Sequence, residues 1–294
     1  MRKDLKIETT TKKNLWIKFV NDNRFKQGIQ ELTLDFSSCQ FIEPFHIVLL
    51  ACLIEEYFQN GVVITFRIGD NHALNEYLAN IQFWGYWNPG VDRSSFRQTS
   101  KITNLCLWKF VPTRLSPYVD YAKRYFEDNY LKDKSFDPLY ICLAELFNNI
   151  VDHSKSPVSG FTTSQFYPRL NKLRIAVCDF GTGIPTAVNT FLSAANKSQI
   201  QESAALEWAF QKGFSTKSTP QNRGFGLDNL WAIVKSCNGT LRVVSNAAMM
   251  ISDVEGTKFF ALKHCFIGSH FEVVLDTSTF EEREEEILSA DFSF

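Results

Sequence analysis

Glu145, Asn149 and His153 recur at intervals of four in the stretch ELFNNIVDHS, a spacing that stacks their side chains on one face of a helix. The flanking Leu143, Leu146, Phe147 and Ile150 can then pack elsewhere. A carboxylate such as Glu145 can accept a proton from a water attacking a phosphate, or orient that water. One turn on, Asn149 offers a neutral carbonyl oxygen, a hard ligand suited to magnesium. Asp152 and His153 sit a further turn along and could contact magnesium-bound water or phosphate. Blander readings stand beside these: Asp152 could cap or solvate the helix end, and His153 could be structural.

Two glycine-rich stretches follow in fixed order. DFGTGIP (residues 179–185) ends the β-like run LRIAVCD, placing Asp179 as a hydrogen-bond acceptor for an exocyclic amine. Gly181 and Gly183 let the backbone approach a flat base with no Cβ in the way. RGFGLDNL (residues 223–230) opens the apolar helix LDNLWAIVKSC, and the amides at Gly224 and Gly226 are a natural phosphate cradle. Alone, a Glu/Asn pair is usually a solvated face, DxGxG a tight turn, and GxGL a helix start. All three in this order describe an ATP site.

The trio resembles the Bergerat-fold ATP site of the GHKL superfamily, which includes gyrase, the heat-shock chaperone, histidine kinases and the mismatch-repair ATPase. ELFNNIVDHS is similar to the N box, which implies Glu145 as general base and Asn149 as magnesium ligand; with His153 it looks most like the anti-sigma serine kinases. The resemblance implies that Asp179 takes the adenine amino group and that Gly224, Gly226 and Leu227 line the phosphates. GFSTKS (residues 213–218) resembles the end of an ATP lid, which implies nucleotide contacts from Thr216 and Lys217, although a solvated lysine is the default reading of such a polar stretch. GSHFEVVL (residues 268–275) resembles the closing strand, with Ser269 where the family usually has a threonine near adenine. The likeness covers about residues 101–294.

These motifs need elements to hold them. The first glycine stretch needs the strand over residues 173–179, and the site helix is expected from DPLYICLAELF, with Asp137 as N-cap and Pro138 in its first turn. SPYVDYAKRYFEDNY reads as a preceding helix and NLCLWKFVP as the strand that opens this second domain. Residues 186–222 are long for a loop, and ESAALEWAFQKG within them is helix-forming, which suits a lid. Upstream, ELTLDFSS alternates as a half-buried strand, PFHIVLLACLIEEYFQNG is a helix, VVITFRI a short buried strand and NEYLANIQFWGYW a second helix. Strand, helix, strand, helix is an α/β unit with parallel pairing. This run resembles a STAS domain, the fold of anti-sigma-factor antagonists, but Pro44 and Phe45 stand where such antagonists carry a phosphorylatable serine. That departure implies a docking element. NPGVDRSSFRQTSK (residues 88–101) reads as a linker.

The fold class expected is therefore α/β: an N-terminal STAS-like domain over residues 1–100, then a Bergerat-type α/β sandwich over residues 101–294, a mixed sheet with helices on one face. A net charge of −1 argues against a nucleic-acid partner. No apolar run approaches the ~20 residues of a membrane span, and the first residues have no apolar core of a signal peptide. Seven cysteines without a CxxC pair read as reduced, buried thiols of a cytoplasmic protein. The function expected is an ATP- and magnesium-binding regulatory protein, with slow hydrolysis coupled to lid closure and to a protein partner bound through the N-terminal domain. Two other readings stay open, a serine/threonine kinase of the anti-sigma type and a non-catalytic nucleotide sensor, as does a homodimer. His46 and His72 are in no H-box context, which disfavours a sensor histidine kinase.

Overall fold

The computed structural model of the chain describes residues 1–8, 12–96, 102–153, 155–211 and 226–283, apart from the side chains of residues 152 and 153. The first elements are β1 (Arg2–Lys6), α1 (Lys13–Asp22), β2 (Glu31–Asp35), α2 (Pro44–Gln59), β3 (Val63–Arg67) and α3 (His72–Asn80). β1, β2 and β3 pair in parallel in chain order, so each connection must cross over through a helix. β1 and α1 leave little signal in the sequence: RKDLK contributes one buried side chain, Leu5. The strand expected to be buried, VVITFRI, forms β3 at the sheet edge, where pairing with β2 alone leaves its residues exposed or half-buried. The helix expected over NEYLANIQFWGYW stops at Asn80. Gln82 takes a left-handed φ of 62°, and the chain turns to pack Phe83, Trp84 and Trp87 on Phe66. Aromatic burial there outweighs helical continuation.

The remaining elements are β4 (Trp108–Lys109), α4 (Leu115–Asn129), α5 (Asp137–His153), β5 (Gly160–Tyr167), β6 (Lys172–Asp179), α6 (Ile184–Ala194), α7 (Glu202–Ala209), α8 (Leu227–Ser236), β7 (Thr240–Asp253) and β8 (Gly256–Asp276). Five strands form one sheet in the order β4-β5-β6-β8-β7. They pair antiparallel throughout, where a mixed sheet was expected, because β5–β6 and β7–β8 are hairpins set side by side. The strand expected over NLCLWKFVP shrinks to Trp108–Lys109 and one isolated bridge, Asn104 to Gln165.

Alternation along β6 shows how the sheet is covered. Leu173, Ile175 and Val177 face a core shared with Phe126 of α4, Leu143 and Phe147 of α5, and Leu230 of α8. Ala176 and Cys178 face the opposite way, into the core that contains α2. Helices were expected on one face; α2 covers the other. It is buried along nearly its whole length, as a helix apolar on all sides must be. Cys52 of α2 donates from its sulfur to the Cys178 carbonyl at 3.2 Å, and His270 on β8 meets the Phe45 carbonyl at 3.2 Å.

The stretch read as a linker is tied down as far as Phe96. Glu55 of α2, fully buried, accepts from Arg93 at 2.6 Å, Lys109 at 2.6 Å and Trp87 Nε1 at 3.0 Å. A buried carboxylate is tolerated only when its oxygens are satisfied, and here the partners span α2, the 84–96 segment and β4. Six of the seven cysteines are buried; Cys265 is exposed, on the part of β8 that runs beyond its pairing with β6. No described helix is long and apolar enough to cross a membrane.

Candidate functional site

On α5, Leu139, Cys142, Leu143, Leu146, Phe147 and Ile150 are buried, the i, i+3, i+4 pattern of a helix laid on a sheet. Each large apolar side chain so buried stabilises the fold by about 2 kcal/mol, which fixes the rotation of the helix. That rotation leaves Glu145 and Asn149 half-buried on one flank. Asn149 Nδ2 donates to the Glu145 backbone carbonyl at 2.7 Å, so its Oδ1 points away from the helix backbone. Asn229, in the first turn of α8, donates from Nδ2 to Glu145 Oε1 at 3.0 Å. The carboxylate is thereby held against rotation by a group from a second helix.

α8 starts at Leu227, which is buried, with Gly226 as its N-cap. The Gly226 N–H donates to the Asp228 carboxylate at 3.3 Å. An acidic side chain therefore sits on the amide that the sequence assigned to phosphate, as expected of an electropositive helix start.

Asp179 ends β6, in register with Ser269 of β8, and is 1% exposed. Gly181 N–H donates to its Oδ1 at 2.7 Å, and the Ser269 N–H also donates to the carboxylate. Burial dominates these two bonds and pushes the carboxyl up from its ordinary 3.8 to about 7. Such a group is short of a strong donor.

The loop after Asp179 is fixed by close approaches. Gly183, the N-cap of α6, has φ 82°, and a Cβ there would lie 1.8 Å from Asn246 Oδ1. Gly268, with φ 129°, backs onto the Asp179 carbonyl, where a Cβ would come within 2.1 Å. Ser245 on β7 accepts from Ile184 N–H at 2.8 Å and lies 3.0 Å from the Ser269 hydroxyl. At the irregularity that follows, Asn246 (φ 51°) donates to Thr186 Oγ1 and Ala247 N–H to the Glu202 carboxylate. Three successive residues of β7 thus grip α6 and α7. Ser156, just past α5, accepts from Phe180 N–H at 3.1 Å and ties this loop to the end of the site helix.

The sequence-predicted residues thus fall in two groups. Glu145, Asn149, Gly226 and Leu227 sit where α5 meets α8; Asp179, Gly181 and Gly183 sit at the end of β6 and in the loop after it, with Ser269 of β8 directly opposite Asp179. Asp152 and His153 occupy the last turn of α5, their side chains outside the described residues, as are Thr216, Lys217 and Gly224 altogether. The sequence reading missed Asn229, Ser245, Asn246 and Ser156. Asn229 lay inside the quoted motif RGFGLDNL, and Ser245–Asn246 is a polar break in an otherwise apolar strand.

The donor set fits an adenine nucleotide. A buried carboxylate aimed from a strand end suits an exocyclic amine, and a neutral amide oxygen suits an ion already shared by phosphates and water. Among the described residues no cluster of three or more His, Cys, Asp or Glu could hold a metal by itself. Residues 135–276, just under half of the chain, match the family model described as histidine kinase-, DNA gyrase B-, and HSP90-like ATPase. The match begins just before α5 and ends with β8, so it contains every site residue named above. No curated protein matches the chain.

Proposed function

We propose that this chain, whose residues 135–276 match the histidine kinase-, DNA gyrase B-, and HSP90-like ATPase family model, is a GHKL-type ATPase that binds ATP with magnesium and hydrolyses it slowly as part of a regulatory cycle. The observation that carries this reading is the Asp179 carboxylate, buried, opposite Ser269, and met among the described residues by the backbone N–H groups of Gly181 and Ser269. The adenine amino group is the donor it lacks. Glu145, held by Asn229, orients the attacking water and takes its proton; Asn149 would hold magnesium through its amide oxygen. When bound, the ion supplies charge across the phosphates. Closure of the segment between the two glycine stretches would couple occupancy to the partner.

The N-terminal unit is proposed to be a STAS-like docking element for a protein partner, without a phospho-accepting hydroxyl. Pro44 and the buried Phe45 open α2, and Ser37 and Ser38 lie in the turn after β2, where Ser37 N–H donates to Asp35. Incubation with γ-labelled ATP, alone and with candidate partner proteins, tests the reading. Label released as free phosphate supports hydrolysis; label on a partner's serine or threonine makes the chain a kinase of the anti-sigma type; label left on ATP despite binding makes it a nucleotide sensor. Stoichiometric label on Ser37 or Ser38 would contradict the docking role.

A further inference from the structure

Phe180 lies between Asp179 and Gly181, in the loop assigned to adenine, yet its ring belongs to the core of the N-terminal unit. It is 2% exposed and packs edge-on against Phe266 of β8 at 5.9 Å. Over its other reach lies Arg24, from the turn after α1, with its guanidinium carbon 3.7 Å from the ring centroid. That guanidinium is fixed. Glu56 of α2 accepts from Arg24 Nε at 2.8 and 3.0 Å and from Nη2 at 2.6 Å, and the same carboxylate accepts from Phe25 N–H at 2.9 Å.

Arg24 also donates from Nη1 to the Ile267 carbonyl at 3.4 Å. Ile267 precedes Gly268, whose backbone backs onto the Asp179 carbonyl, and Ser269 gives Asp179 one of its two N–H bonds. One side chain of the N-terminal unit therefore touches both the loop that follows β6 and the strand β8, the two segments that present the adenine-facing groups. A planar cation that stacks and forks at once does this where an ammonium cannot.

We propose that Arg24 is a positioning residue of the nucleotide site, through which the N-terminal unit sets how well the Asp179 carboxylate recognises the adenine amino group. The inference rests on the ATP reading given above. It requires no contact between Arg24 and the nucleotide. By linkage, adenine binding biases the N-terminal unit as much as that unit biases adenine binding.

Calorimetric titration of the full chain with ATP and with inosine triphosphate, each with magnesium and each below the rate of turnover, separates the possibilities. Inosine triphosphate keeps the phosphates and lacks the amino group. The parent should prefer ATP, and Arg24→Ala should lower that preference about tenfold while inosine triphosphate binding stays near its parent value. Arg24→Lys should not restore it, and Glu56→Gln should reproduce part of the loss. A purely structural role would weaken both nucleotides alike. If the parent prefers ATP and Arg24→Ala keeps the same ratio, the positioning role is wrong and the ATP site stands. If the parent binds neither nucleotide, the ATP reading itself fails and this inference goes with it. Should Arg24→Ala not fold, Phe180→Leu, which keeps apolar bulk without a ring face, decides by the same ratio.

Discussion

Asp179→Asn should alter the pH dependence of stability in a direction that depends on a second buried group. Asp179 is held at about 7 against an ordinary 3.8, so the folded chain keeps a proton that the unfolded chain has lost. Its contribution is full below the ordinary value and is lost as pH rises through about 7. His270 has the opposite sign. Burial, with Lys13, His46 and Arg242 nearby, lowers its imidazole from 6.5 to about 3, so the folded chain lacks a proton that the unfolded chain binds. Its contribution is full above 6.5 and is lost as pH falls toward about 3.

Each group moves stability by about 1.4 kcal/mol per pH unit, and between pH 4 and 6.5 the two slopes oppose each other. The parent should accordingly be nearly flat across that window. In Asp179→Asn, of this pair only His270 is left to titrate there, so its contribution should make stability rise with pH by roughly 3 kcal/mol from pH 4 to 6.5 relative to the parent. His270→Gln should do the reverse, falling by a similar amount. Urea denaturation followed by tryptophan fluorescence at half-unit pH steps measures both, with the transition slope checked for constancy. A flat profile in Asp179→Asn would refute the assignment of raised and lowered protons to these two side chains.

Other expectations follow from the same geometry. Glu145→Ala should still bind ATP and lose turnover, Asn149→Ala should also lose magnesium-dependent binding, and Asn229→Ala should lower kcat about tenfold with KM little changed, all read by phosphate release. Gly183→Ala places a Cβ in a left-handed conformation and against Asn246, so it should cost about 2 kcal/mol or more of stability by thermal melt; a neutral effect would contradict the loop geometry. With ATP and magnesium, residues 191–221 should be cut more slowly by protease than in the free chain, and equal cutting would remove the lid from the account.

The candidate site was legible because its residues lie in local motifs. Glu145 and Asn149 share a helix face by spacing alone, and Asp179 follows a strand whose apolar run is visible. Asn229, Ser245 and Ser156 were not legible as partners, because each acts across the fold from another element, and no local period encodes that. The same limit explains the N-terminal third. The helix over residues 44–59 is plain from its hydrophobicity, but that it is buried on both sides, between two sheets, depends on Cys178, Ala176 and His270 far along the chain. The stretch 88–101 reads as a linker because its composition is polar; the buried Glu55 that recruits Arg93 lies over thirty residues earlier. Phe180 carried the plainest unused clue: an aromatic ring inside a glycine loop needs a core to enter.

Titration calorimetry of the parent and Asp179→Asn with a non-hydrolysable ATP analogue and magnesium, at pH 8 and pH 6, tests the central claim most directly. Adenine recognition by an ionised carboxylate that titrates near 7 predicts one site per chain, about tenfold weaker at pH 6 than at pH 8, because the proton that fills the carboxylate excludes the amino group. In Asp179→Asn the affinity should be lower at pH 8 and the same at both pH values. An affinity in the parent that ignores pH, or one that Asp179→Asn leaves unchanged, would contradict it.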